Sequence, residues 1–280
     1  MTTNLSLISE PSRVCHVSAV MNKIMDMLVG KFVYIFLDYD GTLTPIVPDP
    51  PKATLSNDMH STLIELVSIF PVGIVTGRGR SVISDFLGAD LTKKVHLACS
   101  HGFDISITTG ECLKVGESDH MSELKRFKTY LVEHMPEFPS GCLIEDTGFS
   151  VSLHYRHVPL EFHSSVQSKL LECVRRFSGI TVSGGKLVFE IRLNLEWNKG
   201  LAVQWILEHT HCPDNVCVIY IGDDITDEDA FRAIKEYPNS LPIIVSDKLS
   251  RETTACLRLR DPDEVMQFLG QLTHTFKNFK

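Results

Sequence analysis

The chain has 280 residues, of which 43% are hydrophobic and 22% charged, and its net charge is −8. This length allows one large domain or two small ones, and the composition excludes a disordered, collagen-like or low-complexity chain. The apolar run Phe32–Leu37 near the start is too short for a signal peptide or a membrane span. We therefore expect a cytoplasmic protein with no membrane partner. Because a net negative charge disfavours contact with phosphate backbones, we expect no nucleic-acid partner.

The eight cysteines form no CxxC pair, and most of them lie in apolar runs. Free cysteine is often buried and packs as a small hydrophobic side chain. We interpret these residues as reduced core positions and predict neither a disulfide framework nor a catalytic cysteine.

Residues 1–30 contain an apolar pattern with spacings of three and four, which is typical of an amphipathic helix. The pattern consists of Val14, Val17, Met21, Ile24 and Leu28. We expect an N-terminal helical extension that packs on the following domain. A partner-binding tail is the alternative.

From residue 31, short apolar runs alternate with helical patterns. The runs are Phe32–Leu37, Pro71–Val75, Val95–Ala98, Val216–Ile221 and Leu241–Val245. Continuous apolar strands that alternate with helices are typical of a parallel sheet covered on both faces. The sequence therefore predicts an α/β fold with a parallel-sheet core.

This rhythm is interrupted between residues 104 and 192. Within Cys142–Tyr155 the apolar residues Phe149, Val151, Leu153 and Tyr155 alternate with polar residues, which predicts an antiparallel strand with one solvent-exposed face. Gly184-Gly185 separates two β-rich segments and predicts a hairpin, and Glu161–Phe177 has a helical pattern. We assign residues 1–110 and 190–280 to the core and residues 111–189 to an inserted, smaller α+β cap domain.

Polar residues follow four predicted core strands, at the edge of the sheet where open α/β folds bind ligands. They are Asp38 and Asp40, Thr76 and Arg78, Ser100 and His101, and Asp223, Asp224 and Asp227. Two charges directly after a buried strand, as at Asp38 and Asp40, are hard to explain by structure alone. Lys199 begins a predicted helix, where a cation is unfavourable unless an anion lies nearby.

Carboxylates gathered at one edge of a sheet cannot all be ionised without a cation. Oxygen ligands at turns suit Mg²⁺, so we predict a magnesium site here. Asp227 has an equally good alternative explanation, because Thr226-Asp227-Glu228 also has the features of a helix start. Thr76 has the alternative of a structural hydroxyl, and Arg78 that of an exposed charge.

Four segments, in this order, resemble the motifs of the haloacid-dehalogenase-like phosphatases: Asp38-Tyr39-Asp40-Gly41-Thr42-Leu43, Thr76-Gly77-Arg78, Lys199-Gly200 and Gly222-Asp223-Asp224-x-x-Asp227. Further segments are similar to the trehalose-6-phosphate phosphatases: Leu37–Pro45, Ser100–Gly102, Val151–Arg156, Phe189–Arg192, Trp197–Gly200 and Ile221–Phe231. The similarity covers residues 31–245. The sequence departs from the family pattern at Leu193, where proline is common, and at Asn198, where aspartate often precedes the lysine.

The resemblance implies a Rossmann-like core with a cap domain and a phosphatase that uses Mg²⁺. It implies that Asp38 is the nucleophile and that Asp40 is the general acid and then the general base. It also implies that Thr76 and Lys199 hold the phosphoryl oxygens. Asp38, the backbone carbonyl of Asp40, and Asp223 are the implied metal ligands, and the supporting residues are Thr42, Asp224 and Asp227.

We expect the inserted domain to close over the core and to select a phosphorylated disaccharide as substrate, because a site built to bind hydroxyl groups rejects compounds that lack them. The candidate substrate contacts are Glu190, Arg192, Arg156, Lys186 and His154, all within the interrupted segment 104–192, and His101 and Arg78 outside it. A solvated sheet face is the alternative for most of the insertion residues. We expect a monomer or a weak oligomer.

Other functions fit the same motifs. The chain could be a sucrose-phosphate or hexose-phosphate phosphatase of the same superfamily, or a phosphomutase. It could also be a non-catalytic sugar-phosphate sensor, although Asp38, Asp40, Lys199 and Asp223 are all present. An acidic metal-binding scaffold would not explain Lys199 or Thr76.

Overall fold

The computed structural model describes residues 14–116, 120–146, 148–185, 187–213, 215–248 and 252–277. Contacts divide the chain into two units, one formed by Met1–Leu113 and Asn198–Lys280 and the other by Lys114–Trp197. Residues 1–13 of the predicted extension, and the candidate Lys186, lie outside the described residues.

The strands and the helices of both units are numbered in chain order. The strands are β1 (Cys15–His16), β2 (Val33–Leu37), β3 (Val72–Val75), β4 (His96–Cys99), β5 (Asp104–Ser106), β6 (Cys112–Lys114), β7 (Leu143–Asp146), β8 (Ser150–His154), β9 (Ile180–Gly185), β10 (Val188–Leu193), β11 (Cys217–Gly222), β12 (Leu241–Val245) and β13 (Leu257–Leu259). The helices are α1 (Val17–Leu28), α2 (Asn57–Val67), α3 (Arg80–Thr92), α4 (His120–His134), α5 (His163–Val174), α6 (Lys199–His209), α7 (Asp227–Ile234) and α8 (Pro262–Lys277).

Within the described residues the first unit is built on a nine-stranded sheet in the order β1-β13-β12-β11-β2-β3-β4-β5-β6. The strands from β1 to β4 in this order pair in parallel, and β5 pairs antiparallel with β4. Every residue of β2 and of β11 is buried. The prediction of a mostly parallel α/β core covered on both faces is therefore confirmed.

The N-terminal helix predicted from the apolar spacing is α1. Its residues Val17, Ile24 and Leu28 are fully buried and belong to the hydrophobic core of the first unit. The helix begins after Val14, because Cys15–His16 pairs with Leu257–Arg258 as a short edge strand. The sequence pattern predicted neither β1 nor β13.

The second unit contains a four-stranded sheet in the order β7-β8-β10-β9 within the described residues, and all of its pairings are antiparallel. The predicted hairpin is the β9–β10 pair. Strand β10 runs through residue 189, where the sequence analysis ended the insertion, and it pairs with both β8 and β9. The whole strand therefore belongs to the second unit, which extends to Trp197.

The prediction of a solvent-exposed face on β8 is wrong, because Ser150 and Ser152 are both buried. Strand β8 lies between β7 and β10, and the Ser150 hydroxyl donates a hydrogen bond of 3.1 Å to Glu190 on β10. Long side chains of a neighbouring strand can therefore cover small polar residues on a face that the alternation predicts to be exposed. In the part of the chain that the structure describes, no helix has the length and apolar character needed to span a membrane.

Candidate active site

Three carboxylates meet at the carboxyl edge of the nine-stranded sheet. Asp38 follows β2, Asp223 follows β11, and Asp227 begins α7. β2 and β11 are neighbours, and the Asp38 amide donates a hydrogen bond of 2.9 Å to the carbonyl of Ile221. One oxygen of each carboxylate lies within 4.8 Å of the others. The structure thus brings together the first and the last of the polar groups that the sequence analysis selected.

Lys199 joins two of these carboxylates. Its Nζ donates hydrogen bonds of 2.8 Å to Asp38 Oδ1 and to Asp227 Oδ1, and only 3% of its surface is exposed. Burial opposes a charge on Lys199, but the two carboxylates outweigh this effect and raise its pKa. The lysine at a helix start therefore has the anions that the sequence analysis required.

The start of α6 is shaped to place Lys199 at this point. The side chain of Asn198 caps the helix by accepting a hydrogen bond of 2.9 Å from the amide of Leu201, so the residue fills the role that aspartate would fill. At Gly200 a Cβ would lie 2.4 Å from the carbonyl oxygen of Asp229 in α7. Only glycine allows the two helices to approach so closely.

Asp227 uses all of its acceptor positions within the protein. Oδ1 accepts from Lys199 and, at 2.7 Å, from the hydroxyl of Tyr220. Oδ2 accepts from the backbone amides of Asp223 and Asp224 at 3.0 and 2.9 Å. A carboxylate oxygen accepts about two hydrogen bonds, so Asp227 is an anchor for Lys199 and for the loop after β11.

The sequence analysis missed Tyr220, which lies in the apolar run of β11 and is fully buried. A buried phenol hydroxyl usually has a hydrogen-bond partner. A tyrosine two residues before a Gly-Asp-Asp segment could therefore have been flagged as a partner for one of the nearby carboxylates.

Two glycines allow the backbone to approach the carboxylates. Gly41 has a φ of +81°, and a Cβ on it would lie 2.2 Å from Asp223 Oδ2. A Cβ on Gly222 would lie 2.3 Å from Cγ of Asp227. Any larger residue at either position would displace a carboxylate of the cluster.

The electrostatics of the cluster fit a bound cation. Burial, together with Asp38 and Asp227, raises the pKa of Asp223 to about 9. Burial raises the pKa of Asp38 to about 7, although Lys199 acts in the opposite direction. A divalent cation would allow both carboxylates to be ionised, and a donor set made only of oxygen atoms suits such an ion.

Asp40 turns its carboxylate towards Arg78. Arg78 Nε lies 2.7 Å from Asp40 Oδ2, and Nη2 lies 2.5 Å from Oδ1, which is a bidentate ion pair. The sequence analysis expected Arg78 to contact substrate or solvent. In the structure its guanidinium group binds Asp40.

The loops after β3 and β4 are bound to each other. Thr76 is fully buried, and its Oγ1 accepts the amide N–H of Arg78 at 3.1 Å. The amides of His101 and Ser100 donate to the carbonyls of Thr76 and Arg78 at 2.8 and 2.9 Å. Ser100 and His101 have φ values of 50° and 59°, a left-handed conformation that is costly for such residues and is concentrated at functional sites.

Three hydroxyl groups at this edge are buried without a hydrogen-bond partner among the described residues. They belong to Thr42, Thr44 and Ser100. Because an unpaired buried hydroxyl is costly, such groups are candidates for contact with a ligand. The side chain of Asp224, by contrast, is exposed and accepts the amide N–H of Ile225 at 2.7 Å.

The second unit carries the remaining candidates. Glu190 is half-buried and accepts a hydrogen bond from Ser150, and the half-buried Arg192 is paired in register with Ser150. His154 contacts Glu145 at 2.8 Å, and Arg156 is exposed. Within this unit, β8 therefore supplies the hydroxyl group of Ser150, and β10 supplies the charged side chains of Glu190 and Arg192.

The fold and the site define a class of protein. A solved haloacid-dehalogenase-like hydrolase from Bacteroides thetaiotaomicron has the same fold, with a TM-score of 0.63 at 14% identity over 89% of this chain and 100% of that one. A solved trehalose-6-phosphate phosphatase related protein is more similar, with a TM-score of 0.73 at 28% identity over 88% of this chain and 100% of that one. The chain is a phosphoric monoester hydrolase with the fold of the haloacid-dehalogenase-like hydrolases.

The family follows from the sequence comparisons. The profile described as Trehalose-phosphatase matches residues 36–263. Probable trehalose-phosphate phosphatase J of Arabidopsis thaliana is 36% identical in an alignment 272 residues long, which covers 92% of this chain and 72% of the relative. This chain belongs to the trehalose-phosphatase family.

Proposed function

We propose that the protein hydrolyses trehalose 6-phosphate to trehalose and phosphate, through an aspartyl-phosphate on Asp38 and with Mg²⁺ as cofactor. The observation that carries the proposal is the buried Lys199, which bridges Asp38 and Asp227 beside Asp223. The two carboxylates hold the Lys199 ammonium group beside Asp38, where its positive charge suits the negative oxygens of a phosphoryl group. The names of the relatives support trehalose 6-phosphate as the substrate.

In the first step, an oxygen of Asp38 forms a bond to phosphorus while the bond from phosphorus to the sugar oxygen breaks. Asp40 gives its proton to that leaving oxygen. In the second step, water attacks the phosphorus of the aspartyl-phosphate, Asp40 takes a proton from the water, and the Asp38 carboxylate is released. Each residue ends the cycle in the state in which it began.

Asp38, Asp223 and the backbone carbonyl of Asp40 would hold the magnesium ion. When bound, the ion supplies positive charge that keeps both carboxylates ionised and neutralises the phosphoryl oxygens. The full set of hydrogen bonds on Asp227 supports a role for this residue as an anchor rather than as a ligand.

Lys199, Thr76 and Thr42 are the proposed donors to the phosphoryl oxygens. Lys199 is held between two carboxylates and carries a fixed positive charge, which suits the negative charge of the transferring group. The unpaired, fully buried hydroxyl of Thr42 supports a ligand contact at that position.

We propose that sugar selection depends on Glu190, Arg192, Arg156 and Lys186 in the second unit, with His101 in the first. The contact of Glu190 with Ser150 supports this role, because it holds a carboxylate in one orientation, and an oriented carboxylate can accept from sugar hydroxyls.

Phosphate release from a panel of sugar phosphates tests the proposal. The panel contains trehalose 6-phosphate, sucrose 6-phosphate and glucose 6-phosphate, each with Mg²⁺ and with a chelator in its place. We expect release from trehalose 6-phosphate to be the fastest and to require Mg²⁺, and Asp38→Asn to abolish it. Equal rates on all three compounds, or full activity with the chelator, would contradict the proposal.

A further inference from the structure

Arg78 fixes the Asp40 side chain through two hydrogen bonds. Arg78 Nε and Nη2 bind the two oxygens of the Asp40 carboxylate at 2.7 and 2.5 Å. A bidentate pair of this type fixes both the position and the plane of the carboxylate. The Asp40 side chain is 39% exposed, so the surrounding protein alone does little to restrict it.

Arg78 is itself held in place. Its guanidinium carbon lies 4.9 Å from the ring centroid of Phe86 and 5.8 Å from that of Tyr39. The two rings are stacked at 5.9 Å, and the buried Tyr39 hydroxyl donates to the carbonyl of Ala53 at 2.9 Å. The Arg78 side chain is only 14% exposed. A rigid aromatic surface therefore supports the arginine, and the arginine supports Asp40.

We infer that Arg78 is a positioning residue, which binds both oxygens of Asp40 when the carboxylate is ionised and one oxygen when the other carries the proton. In this way it holds Asp40 where the residue gives a proton to the leaving sugar oxygen and takes one from the attacking water. The inference rests on the proposed function, since it assigns a partner to the general acid and base of that reaction. The competing assignment is direct contact of Arg78 with the substrate, as the sequence analysis expected.

The chain offers a matched control in Arg80. Its Nε and Nη2 bind the carboxylate of Asp104 at 2.7 and 2.6 Å, and its Nη1 binds the Ser106 hydroxyl at 2.6 Å. This second bidentate pair joins the start of α3 to β5. Loss of Arg80 therefore removes an equivalent ion pair from the same helix start without touching Asp40.

The test compares two leaving groups. A sugar alkoxide leaves only if it is protonated, whereas 4-nitrophenolate leaves without a proton. We would measure kcat/KM with Mg²⁺ for trehalose 6-phosphate and 4-nitrophenyl phosphate, because this constant covers the steps up to departure of the leaving group. The proteins are the unaltered chain, Arg78→Met, Asp40→Ala, the double variant and Arg80→Met, each with its thermal unfolding recorded.

We expect Asp40→Ala to lose on the order of 10²–10⁴-fold on the sugar phosphate and far less on the aryl phosphate. Arg78→Met should likewise lose far more kcat/KM on the sugar phosphate than on the aryl phosphate. The loss on the sugar phosphate should be about 100-fold, as expected for a displaced catalytic group. In the Asp40→Ala background Arg78→Met should cost little more. Arg80→Met should lower the unfolding temperature and leave the ratio of the two substrates unchanged.

The inference would be overturned if Arg78→Met lost the same factor of kcat/KM on both substrates and lost as much again in the Asp40→Ala background. That result would leave the proposed role of Asp40 intact. The absence of any imbalance in Asp40→Ala would overturn the proposed role of Asp40, and the inference with it. If Arg78→Met fails to fold, Arg78→Lys answers the question, because it keeps the charge and loses the bidentate geometry. Arg78→Lys should also lose more kcat/KM on the sugar phosphate than on the aryl phosphate, and the difference should be smaller than for Arg78→Met.

Discussion

Lys199 Nζ lies 2.8 Å from Asp38 Oδ1, although 161 residues separate the two in sequence. The whole second unit, Lys114–Trp197, lies between them along the chain. The pair is buried, so neither charge is stabilised by water and each depends on the other. Formation of the site and folding of the first unit are therefore linked through this contact.

Lys199→Met should be both inactive and less stable. The variant leaves the carboxylates of Asp38 and Asp227 buried without their cation, which costs about 3 kcal/mol or more of unfolding free energy. Urea unfolding in a chelator gives the stability, and phosphate release gives the activity. Unchanged stability would show that the contact does not carry the charge balance that we assign to it.

Tyr220→Phe should weaken catalysis without changing substrate binding. It removes one of the two hydrogen bonds to Asp227 Oδ1, and a hydrogen bond to a charged group contributes about 2 kcal/mol. We expect kcat to fall and KM to stay the same, since the effect reaches the reaction through Asp227 and Lys199. Steady-state kinetics measure both constants. The control is Tyr34→Phe, a buried tyrosine on β2 that stacks on Phe36, and activity should survive it.

Gly41→Ala should abolish magnesium binding, because the new Cβ would lie 2.2 Å from Asp223 Oδ2. Titration calorimetry with Mg²⁺ measures the binding. Gly30 is the matched control, since its φ of +74° is similar and nothing lies within 4 Å of its Cβ position. Both variants should lose about 1 kcal/mol of stability through the backbone, but Gly30→Ala should bind Mg²⁺ normally. Normal binding by Gly41→Ala would place the ion elsewhere.

The stability of the first unit should fall in mild acid because of His96. Burial lowers the pKa of His96 from 6.5 to about 4. Below pH 6.5 His96 is therefore protonated in the unfolded chain but still neutral in the folded state. The unfolding free energy decreases as the pH falls, until His96 is also protonated in the folded state at about pH 4. The difference amounts to at most about 3 kcal/mol.

His96→Asn removes this titration and can still accept the amide N–H of Thr108, which His96 Nδ1 accepts at 3.2 Å. Urea unfolding at several pH values between 7.5 and 4 should show the unaltered chain losing stability relative to the variant as the pH falls. The exposed His157 provides the control substitution, His157→Asn. Parallel pH curves for the unaltered chain and His96→Asn would contradict the prediction.

The parallel core could be predicted because its central strands are continuous apolar runs with polar residues directly after them. β2 and β11 are examples, and both are buried throughout. β1 and β13 could not be predicted. β1 has two residues, and β13 has three with Arg258 in the middle, so neither has a periodic pattern of its own. β13 forms because it pairs with β12, and β1 forms because it pairs with β13 at the edge of the sheet.

The meeting of Asp38 and Asp223 could be predicted from the rule that carboxyl ends of parallel strands share one edge. The pairing of Asp40 with Arg78 could not, because it depends on side-chain rotamers and on distances between loops. A hydrogen-bond partner for the buried Tyr220 could be expected, but the choice of Asp227 among the nearby carboxylates depends on the same details. For Asp227 the sequence analysis weighed a helix start against a site residue. In the structure it is both, since it accepts backbone amides near α7 and also binds Lys199.

The central claim is that Asp38 carries the phosphoryl group, and chemical trapping tests it most directly. With Asp40→Asn and 4-nitrophenyl phosphate, the first step needs no acid while the second lacks its base, so the intermediate should accumulate. Borohydride reduces an acyl phosphate to an alcohol and leaves free carboxylates unchanged, and peptide mass spectrometry then locates the reduced residue. We predict reduction at Asp38 alone. Reduction at another residue, or nitrophenol release with no reduced residue, would contradict the account.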